Sequence, residues 1–459
     1  MFSPIQIPLW LFLVISLFAL VMALEKIMLP SVRWFFRRRM EKVVARLNER
    51  LDRPIQPFKL ARRHDMIQRL IYDPEVSKAI AEHAAEEAIP ENVAFETAQR
   101  YAREIVPSFS ASLYFGLAIW LARLISTSLY RVRLGHYAEQ KLDEVDQEAT
   151  VVFVMNHRSN MDYVLVTYLA AERSALSYAV GEWARVWPLS RLIKAMGAYF
   201  IRRKSRGALY RKVLARYVRL ATDGGVMQAV FPEGGLSLDG ALAEPKMGIL
   251  KYIVEGHDVS ARDVVFVPVA LNYDRVFEDR ILVAAGQAGE RRFRARMSLI
   301  AKFLIHQLWL RIRGKYHRFG YAAVSFGAPV SLHEFMGQAE GDEIVLPLAQ
   351  ELMHRIGQEV PVLPVPLVAT ALLQAEKPMT RDELEDAVSA LMAGLENAHV
   401  HIPRDDRSYA VEVGLRNLRR RKTALEENAH FAVSEADRPL MAYYAASIAH
   451  LFRARGEGG

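Results

Sequence analysis

The chain has 459 residues, a formal net charge of +8 and no cysteine, and 52% of it is hydrophobic. This apolar fraction excludes a disordered or collagen-like protein, and the length suffices for more than one domain. Without cysteine, the chain cannot form a disulfide framework, a thiolate metal site or a cysteine nucleophile. The basic excess favours an anionic partner, and nucleic acid, a lipid surface and a phosphorylated substrate all fit.

A long apolar run opens the chain. Ile5–Leu24 contains twenty residues without a charge, a length that spans a bilayer core when helical. No cation precedes this run, which argues against a cleaved signal peptide, and six follow it: Lys26, Arg33, Arg37, Arg38, Arg39 and Lys42. The sequence predicts a membrane anchor over residues 1–30, with the remainder cytoplasmic by the positive-inside rule. A buried soluble helix is the alternative, since Pro8 interrupts the run.

Helical periodicity with mixed charge follows and predicts a helical domain over residues 31–135. Within it, Phe109–Leu129 is apolar except for Arg123. A second membrane span would move everything beyond it to the other side of the membrane. Because Arg123 is costly at bilayer depth and Trp120 suits the headgroup level, we predict a helix that lies in the membrane interface. A helix packed on the protein core fits equally well.

Short apolar runs of strand length then alternate with helical stretches. The runs are rich in β-branched and aromatic residues, as in strands covered on both faces: Thr150–Met155, Gly225–Phe231, Val264–Leu271 and Tyr321–Phe326. They predict an α/β domain over residues 136–335, with a mixed sheet covered by helices. Helices dominate residues 336–459, where Thr380 and Glu383 form a capping box that opens a helix running to about Glu396.

Polar residues follow the first of these strands directly. Asn156–Asp162 places His157 and Asp162 at the carboxyl edge of the sheet, where open α/β sheets usually bind ligands. If the chain turns into a helix there, the carboxylate can orient the imidazole, and the pair can act as a general base. A satisfied polar turn is the alternative, since this spacing is common. No further ligand at metal-binding spacing lies nearby, so no metal site is predicted.

Three later segments carry charge or unusual backbone. Gly197–Lys204 ends in three cations that suit a phosphate, although a solvated surface run is the alternative. Phe231–Gly240 has a carboxylate followed by paired glycines, which let backbone N–H groups approach a ligand, although an ordinary turn also fits. Val267–Val276 carries Pro268 inside a strand, which predicts an edge strand or a bulge. No dinucleotide or P-loop motif occurs in the sequence.

Taken in order, Asn156–Asp162 and these three segments resemble the four sequence blocks of the glycerolipid acyltransferases. The HRSxMDY form of the first block resembles the bacterial glycerol-3-phosphate acyltransferases more than the enzymes that act on lysophosphatidate, and the likeness runs from about residue 95 to the C-terminus. The resemblance implies the glycerolipid acyltransferase fold. It also implies transfer of a fatty acyl group from an acyl thioester to the sn-1 hydroxyl of glycerol 3-phosphate, which gives lysophosphatidate in the first step of phospholipid synthesis.

The resemblance also implies roles for individual residues. His157 would deprotonate the glycerol hydroxyl, Asp162 would hold its ring, and the alkoxide would attack the thioester directly. Ser159 suits a helix-capping hydroxyl better than a nucleophile. Substrate contacts are implied for Arg158, Ser159, Arg202, Arg203, Lys204, Glu233, Gly234, Gly235, Ser237, Lys246 and Arg275. No cofactor is implied, and the acyl donor would be acyl-CoA or acyl carrier protein.

The third block departs from the family pattern. Where relatives commonly carry arginines after the paired glycines, this chain has Leu236 and Leu238, which removes two cations suited to a phosphate. Three hypotheses stay open: a glycerol-3-phosphate acyltransferase, an acyltransferase for another acceptor such as lysophosphatidate or dihydroxyacetone phosphate, and a catalytically silent lipid-binding membrane protein.

The expected partners are membrane lipids and the acyl donor rather than nucleic acid, because the cations beside the predicted anchor suit anionic headgroups. We expect the protein at the inner membrane of the cell, held by a single N-terminal span or by tight peripheral attachment, with a cytoplasmic catalytic domain.

Overall fold

A computed structural model describes residues 8–170, 175–181, 189–202, 207–255, 257–258, 260–289, 309, 312–314, 316–338, 343–395 and 398–453. The chain divides into two compact units, Met1–Pro54 and Ile55–Gly459. Across the described ranges, no helix combines the length and the apolar character needed to cross a membrane. This finding does not support the predicted anchor at Ile5–Leu24. Residues 5–7 and the side chains of residues 20–24 lie outside the described part of the chain.

The first unit is built on one long helix, α1 (Leu9–Asn48). Its first turns expose large apolar side chains, including Trp10 at 66% and Phe18 at 67%. The helix continues without a break through residue 30, where the sequence analysis placed the end of the anchor.

The second unit combines helices with one large sheet. A six-residue π-helix, Leu113–Ala118, leads directly into the helix that begins at Ile119. The described helices of this unit are α2 (Pro57–Leu60), α3 (Arg63–Ile71), α4 (Pro74–Glu86), α5 (Glu91–Ile105), α6 (Ile119–Leu129), α7 (Glu139–Asp143), α8 (Met161–Leu169), α9 (Leu189–Ala195), α10 (Ala208–Asp223), α11 (Gly248–Val254), α12 (Asp279–Gln287), α13 (Leu332–Gln338), α14 (Val345–Gln358), α15 (Pro364–Gln374), α16 (Arg381–Ala393), α17 (Arg407–Arg420) and α18 (Arg438–Arg453).

The large sheet is mixed and mostly parallel. Its strands are β1 (Arg131–Tyr137), β2 (Thr150–Met155), β3 (Ser177–Gly181), β4 (Tyr199–Ile201), β5 (Gln228–Val230), β6 (Val264–Tyr273), β7 (Tyr321–Phe326) and β8 (Val330–Ser331). They lie in the order β1-β7-β6-β2-β5-β3-β4, and β8 pairs with β6. Strand β6 runs antiparallel to β7 and β8, whereas the other pairs are parallel. A separate hairpin joins β9 (Ala424–Glu427) to β10 (His430–Val433).

Helices cover both faces of this sheet, as its sequence pattern predicts. Every residue of β2 is buried, and because side chains alternate along a strand, they enter two cores. Val151, Phe153 and Met155 pack in a core with α8, α15, α17 and α18. Val152 and Val154 pack in a second core with α3, α4, α5, α10 and α14. The predicted mixed α/β sheet covered by helices is therefore confirmed.

Local sequence signals fix several helix starts. Thr380 and Glu383 form the predicted capping box at the start of α16, a pairing that satisfies two backbone N–H groups. This helix ends at Ala393, before Gly394, rather than at about Glu396. Asp73 caps α4, where Pro74 occupies the first helical position and needs no N–H partner.

Pro268 lies in a central strand, so the predicted edge strand is wrong, whereas the predicted bulge fits the one extra residue that lies opposite this part of β6, between β7 and β8. It pairs with Val154 of β2 in the parallel ladder. On its other side, its carbonyl oxygen accepts from the Gly327 N–H at 2.9 Å, where the chain leaves β7 for β8. The N–H and C=O groups of one strand residue point to the same side. The N–H group that Pro268 lacks would therefore point at the junction between β7 and β8, so its absence costs no hydrogen bond in the β2–β6 ladder or in the β6–β7 ladder.

The segment Phe109–Leu129 has two different faces. Ala122, Ser126 and Leu129 of α6 are buried against the protein. Trp120 and Leu117 on the other face are 57% and 42% exposed. The packed alternative is therefore confirmed for one face, and the membrane-interfacial placement stays a prediction.

Candidate active site

Three neighbouring strands deliver the polar segments to one edge of the sheet. β2 lies between β5 and β6 and is parallel to both, so their carboxyl ends point the same way. The chain beyond β2 carries His157 and Asp162, that beyond β5 carries Glu233, and that beyond β6 carries Glu278. Asn156 extends the sheet, because its side-chain amide exchanges hydrogen bonds of 2.8 and 3.0 Å with the Leu271 backbone.

His157 and Asp162 form a buried pair. The turn after β2 leads into α8, which begins at Met161 and places Asp162 in its first turn. The Nδ1 atom of His157 lies 2.9 Å from Oδ2 of Asp162. With the carboxylate accepting the proton on Nδ1, the lone pair of the neutral ring is on Nε2, as a general base requires. Among the described residues, none bonds to this Nε2 atom.

Asp162 is held from several directions. Its Oδ2 atom also accepts from the backbone N–H groups of Arg158 and Ser159, at 2.8 and 3.0 Å. Its Oδ1 atom accepts from the Tyr273 hydroxyl at 2.6 Å. Burial raises the pKa of Tyr273 well above its usual value, so the phenol stays protonated and donates. The carboxylate can therefore hold the imidazole without turning away from it.

Aromatic rings enclose the imidazole. Phe231, the first residue after β5, stacks on His157 with ring centroids 4.0 Å apart. Tyr163 meets the imidazole edge-on at 5.5 Å. Only 2% of the His157 side chain is exposed. These contacts fix the orientation of the ring.

The Glu233 loop lies directly on this pair. Glu233 Oε1 accepts from the His157 N–H at 3.1 Å, and the Ser237 N–H donates to the His157 carbonyl at 3.0 Å. The Lys246 ammonium donates to the Glu233 carbonyl at 2.9 Å, beside Gly234, whose φ of +68° suits glycine. The implied residues of the third block therefore meet the first block mainly through backbone contacts, and Gly235 lies half-buried in the same loop.

Glu233 is expected to make stability depend on pH. Burial, opposed by hydrogen bonding and by Arg158, raises the pKa of Glu233 to about 8, so the folded protein holds a proton that the unfolded chain releases near its ordinary pKa of 4.5. The stabilisation is complete below that value and is lost as the pH rises toward 8. The free energy of unfolding of the wild type should therefore fall between pH 5 and 8, and Glu233→Gln should make this fall smaller by roughly 3 kcal/mol. Denaturant unfolding at several pH values measures it.

The exposed Glu376 provides the matched control. Glu376→Gln should leave the wild-type pH dependence unchanged. An equal decline in Glu233→Gln and wild type would contradict a protonated Glu233.

Ser159 is tied to a second carboxylate that sequence reasoning missed. Its hydroxyl accepts from the Met161 N–H at 3.1 Å at the start of α8 and donates to Glu278 Oε2 at 2.7 Å. The N-cap of α8 is Asn160, without a side-chain cap, so Ser159 bonds to the first helical N–H from the position before the cap and its predicted capping role is met only in part. Glu278 also accepts from Asn160, and burial raises its pKa to about 7. No local sequence pattern singles out Glu278, although its position just past β6 was a usable signal.

Arg158 points away from the imidazole. Its Nη1 atom donates to the Gly240 carbonyl, and its guanidinium lies 5.1 Å from the ring centroid of Tyr443 in α18. Its Nε and Nη2 atoms are buried without a partner among the described residues. Arg158 therefore joins the turn that carries His157 to the Gly240 loop and to α18.

Gly240→Ala should destabilise the protein strongly. Gly240 has a φ of +89°, and a Cβ atom there would overlap the Tyr443 carbonyl oxygen. Because the clash is with backbone, we expect a loss of about 3 kcal/mol or more in the free energy of unfolding. Gly116→Ala, at a helical position with open space, should be neutral or stabilising. Thermal unfolding of both variants tests this, and similar melting temperatures would contradict the close approach.

The C-terminal helices hold the loop after β6. Tyr444 of α18 donates to Asp279, and Arg421 lies 2.7 Å from the same carboxylate. Asp274 accepts from the N–H groups of Tyr321 and Val365, at 2.8 and 2.9 Å. Through these contacts the helical C-terminal region positions the loop that carries Glu278.

The predicted cations do not gather around the imidazole. Arg202 makes a two-pronged contact with Glu104 of α5, at 2.9 and 2.6 Å. Arg203 and Lys204 lie outside the described residues. Arg275 lines a cavity of about 310 Å³ together with His317, Arg318, Arg420 and Arg421. Leu236 and Leu238, where the family pattern has cations, pack against the core.

Two family models match this chain. The model described as "Acyltransferase" matches residues 136–272, and the one described as "Glycerol-3-phosphate acyltransferase C-terminal region" matches residues 308–456. Together these regions make up more than half of the chain. The chain belongs to the bacterial glycerol-3-phosphate acyltransferase family. The resemblance seen in the sequence is thereby confirmed, and His157 and Tyr444 lie one in each matched region.

Individual relatives are distant. The glycerol-3-phosphate acyltransferase of Pseudomonas syringae pv. syringae is 28% identical over 421 residues, which cover 86% of this chain and 49% of the relative. The glycerol-3-phosphate acyltransferase of Ectopseudomonas mendocina is 29% identical over 421 residues, which again cover 86% of this chain and 49% of the relative. The chain thus spans about half the length of the curated relatives it matches. A crystal structure of the 1-acyl-sn-glycerophosphate acyltransferase of Thermotoga maritima aligns at 17% identity and a TM-score of 0.33, covering 52% of this chain and 77% of that one.

Proposed function

We propose that this chain is an O-acyltransferase that moves a fatty acyl group from an acyl thioester to the sn-1 hydroxyl of glycerol 3-phosphate, producing lysophosphatidate. The observation that carries the proposal is the buried His157–Asp162 pair at the carboxyl edge of the sheet, with 2.9 Å between Nδ1 and Oδ2. Membership of the glycerol-3-phosphate acyltransferase family supports the choice of acceptor.

In the proposed reaction, the substrate alcohol approaches Nε2 of His157, which takes the hydroxyl proton as oxygen attacks the thioester carbon. Asp162 keeps the proton on Nδ1 and stabilises the imidazolium that forms. The C–S bond then breaks, and the proton held by His157 can pass to the departing thiolate. No acyl-enzyme is required, and Ser159, occupied by Glu278 and the Met161 N–H, is not needed as a nucleophile.

Arg275 is the best supported of the predicted cations for the acceptor phosphate. Its Nε atom is buried without a partner among the described residues, and the loop that carries it also carries Glu278, which bonds to Ser159 and Asn160. Burial and the neighbouring Arg421 lower its pKa, so an anion would relieve a repulsion between the two guanidinium groups.

Arg275→Gln should raise KM for glycerol 3-phosphate about tenfold or more, as loss of a charge-assisted hydrogen bond predicts, with a smaller change in kcat. Steady-state kinetics over a range of acceptor concentrations measures the split. Arg280→Gln, in an exposed ion pair with Asp437, should keep the wild-type KM. An unchanged KM in a folded Arg275→Gln variant would remove Arg275 from the phosphate site.

The acceptor is tested by incubating purified protein with labelled palmitoyl-CoA and, separately, glycerol 3-phosphate, lysophosphatidate and dihydroxyacetone phosphate. Lysophosphatidate formed from glycerol 3-phosphate alone supports the proposal. Product from another acceptor alone would reassign the substrate, which Leu236 and Leu238 make a specific concern. No product in any tube, with palmitoyl-CoA or with palmitoyl-acyl carrier protein, would favour a silent lipid-binding protein.

We also propose that α1 attaches the protein to the inner membrane, with the catalytic unit on the cytoplasmic side. Leu13 and Leu17 are 57% and 62% exposed in a row of apolar side chains, which favours contact with lipid. Flotation with phosphatidylethanolamine–phosphatidylglycerol vesicles tests this. Leu13→Glu with Leu17→Glu should release the protein, and equal flotation of variant and wild type would refute attachment through this helix.

A further inference from the structure

Three ligating side chains meet at the edge of the sheet opposite His157. Asp263 immediately precedes β6, His257 follows α11, and His333 lies in the first turn of α13. Their ligand atoms all lie within 4.8 Å of one another. The Nε2 atoms of the two histidines are 2.8 Å apart, and Nδ1 of His333 is 3.8 Å from Asp263 Oδ1.

We propose that His257, His333 and Asp263 bind one divalent transition-metal ion, for which Zn²⁺ is the best fit. Imidazole nitrogen and carboxylate oxygen are preferred zinc ligands, at about 2.0–2.2 Å. Two nitrogens bound tetrahedrally at that length lie about 3.3 Å apart, so the rings need to separate by only about half an ångström. Water would complete the coordination.

The carboxylate is already held in place by its neighbours. Asp263 Oδ2 accepts from the Ser331 hydroxyl at 2.6 Å, and its Oδ1 accepts from the His333 N–H at 3.2 Å. Such outer contacts commonly fix the ligands of metal sites. The side chains of His333 and Asp263 are 26% and 24% exposed, which leaves an entry route for an ion. A single N–H···N hydrogen bond between the imidazoles is the competing explanation.

A second histidine group supplies an internal comparison. His136, Glu359 and His399 also lie within ligand distance, but the two imidazoles stack face to face, with centroids 4.4 Å apart and an interplanar angle of 15°. Their nitrogen lone pairs therefore lie in parallel planes and do not converge on one point.

The proposed ion would join three chain segments, from α11, β6 and α13. An ion that binds only the folded protein raises its melting temperature by mass action. Because the site lies at the opposite end of β6 from Tyr273, its ligands can be changed without touching the catalytic pair.

The test uses the metal-free full-length protein, titrated with ZnCl₂ by calorimetry and with Co²⁺ by visible absorption. Wild type should bind one equivalent at this site and melt at a higher temperature with Zn²⁺. His257→Ala and His333→Ala should each weaken binding about tenfold or more, while His354→Ala, at an exposed position in α14, should not. No saturable binding by wild type, unchanged affinity in both variants, or loss of binding only in His399→Ala would each overturn the proposal.

Discussion

His157→Ala should lower kcat/KM for acyl transfer by about 10²- to 10⁴-fold, the usual contribution of a positioned general base. In this variant the proposed base is gone, and the nearby Asp162 accepts from backbone and tyrosine donors instead. Initial rates with labelled palmitoyl-CoA and saturating acceptor measure the effect.

Removing a buried imidazole also leaves a cavity, so the result needs a folding control. His157→Gln fills most of the space, and its activity should be equally low, with a melting temperature closer to that of wild type. His354→Ala should keep full activity. Turnover within about threefold of wild type in folded His157→Gln would exclude the proposed base, since loss of a catalytic base costs far more.

Asp162→Asn should lower kcat on the order of 10²- to 10⁴-fold while leaving the fold largely intact. The amide oxygen can still accept from the His157 ring and from the Arg158 and Ser159 N–H groups, and the amide NH₂ can face the Tyr273 hydroxyl, which can accept. What disappears is the negative charge that stabilises the imidazolium.

Tyr273→Phe distinguishes the effect of the Asp162 charge from the effect of the Asp162 position. It removes one hydrogen bond to Asp162 and keeps the carboxylate, so the loss in kcat should be smaller, less than about tenfold. Equal losses in Asp162→Asn and Tyr273→Phe would show that rigidity rather than charge accounts for the effect. Kinetics of both variants, with melting temperatures measured in parallel, distinguishes the two.

Local patterns predicted the parts of the fold that depend on local physics. β2 and β7 were found at their predicted bounds, Thr150–Met155 and Tyr321–Phe326, because continuous burial on both faces requires continuous apolar sequence. The capping box at Thr380 was readable for a similar reason, since both of its hydrogen bonds join residues three positions apart. His157 and Asp162 could be paired because they flank one strand-to-helix turn.

Contacts between distant segments could not be predicted in this way. Arg202 resembles a phosphate ligand in its own segment, yet Glu104, nearly a hundred residues earlier, occupies its guanidinium. Within its own segment, Pro268 indicates an edge strand. Its place in a central strand is explained only by the junction between β7 and β8, which lies on the side where Pro268 has no N–H. Glu278 and Tyr273 lie beside His157 and Asp162 because β6 is the neighbour of β2 in the sheet. The order of strands in a sheet cannot be predicted from any one segment.

The contacts of α15, α18 and Arg421, which follows α17, with the loop after β6 predict what happens when the chain is truncated. A nonsense mutation that removed these helices would leave Asp274 and Asp279 in the interior without the donors from Val365, Tyr444 and Arg421. Buried carboxylates without hydrogen-bond donors are severely destabilising. The truncated product should therefore be degraded rather than persist as a slower enzyme. The α/β region that carries β6 therefore depends on the C-terminal helices for its stability.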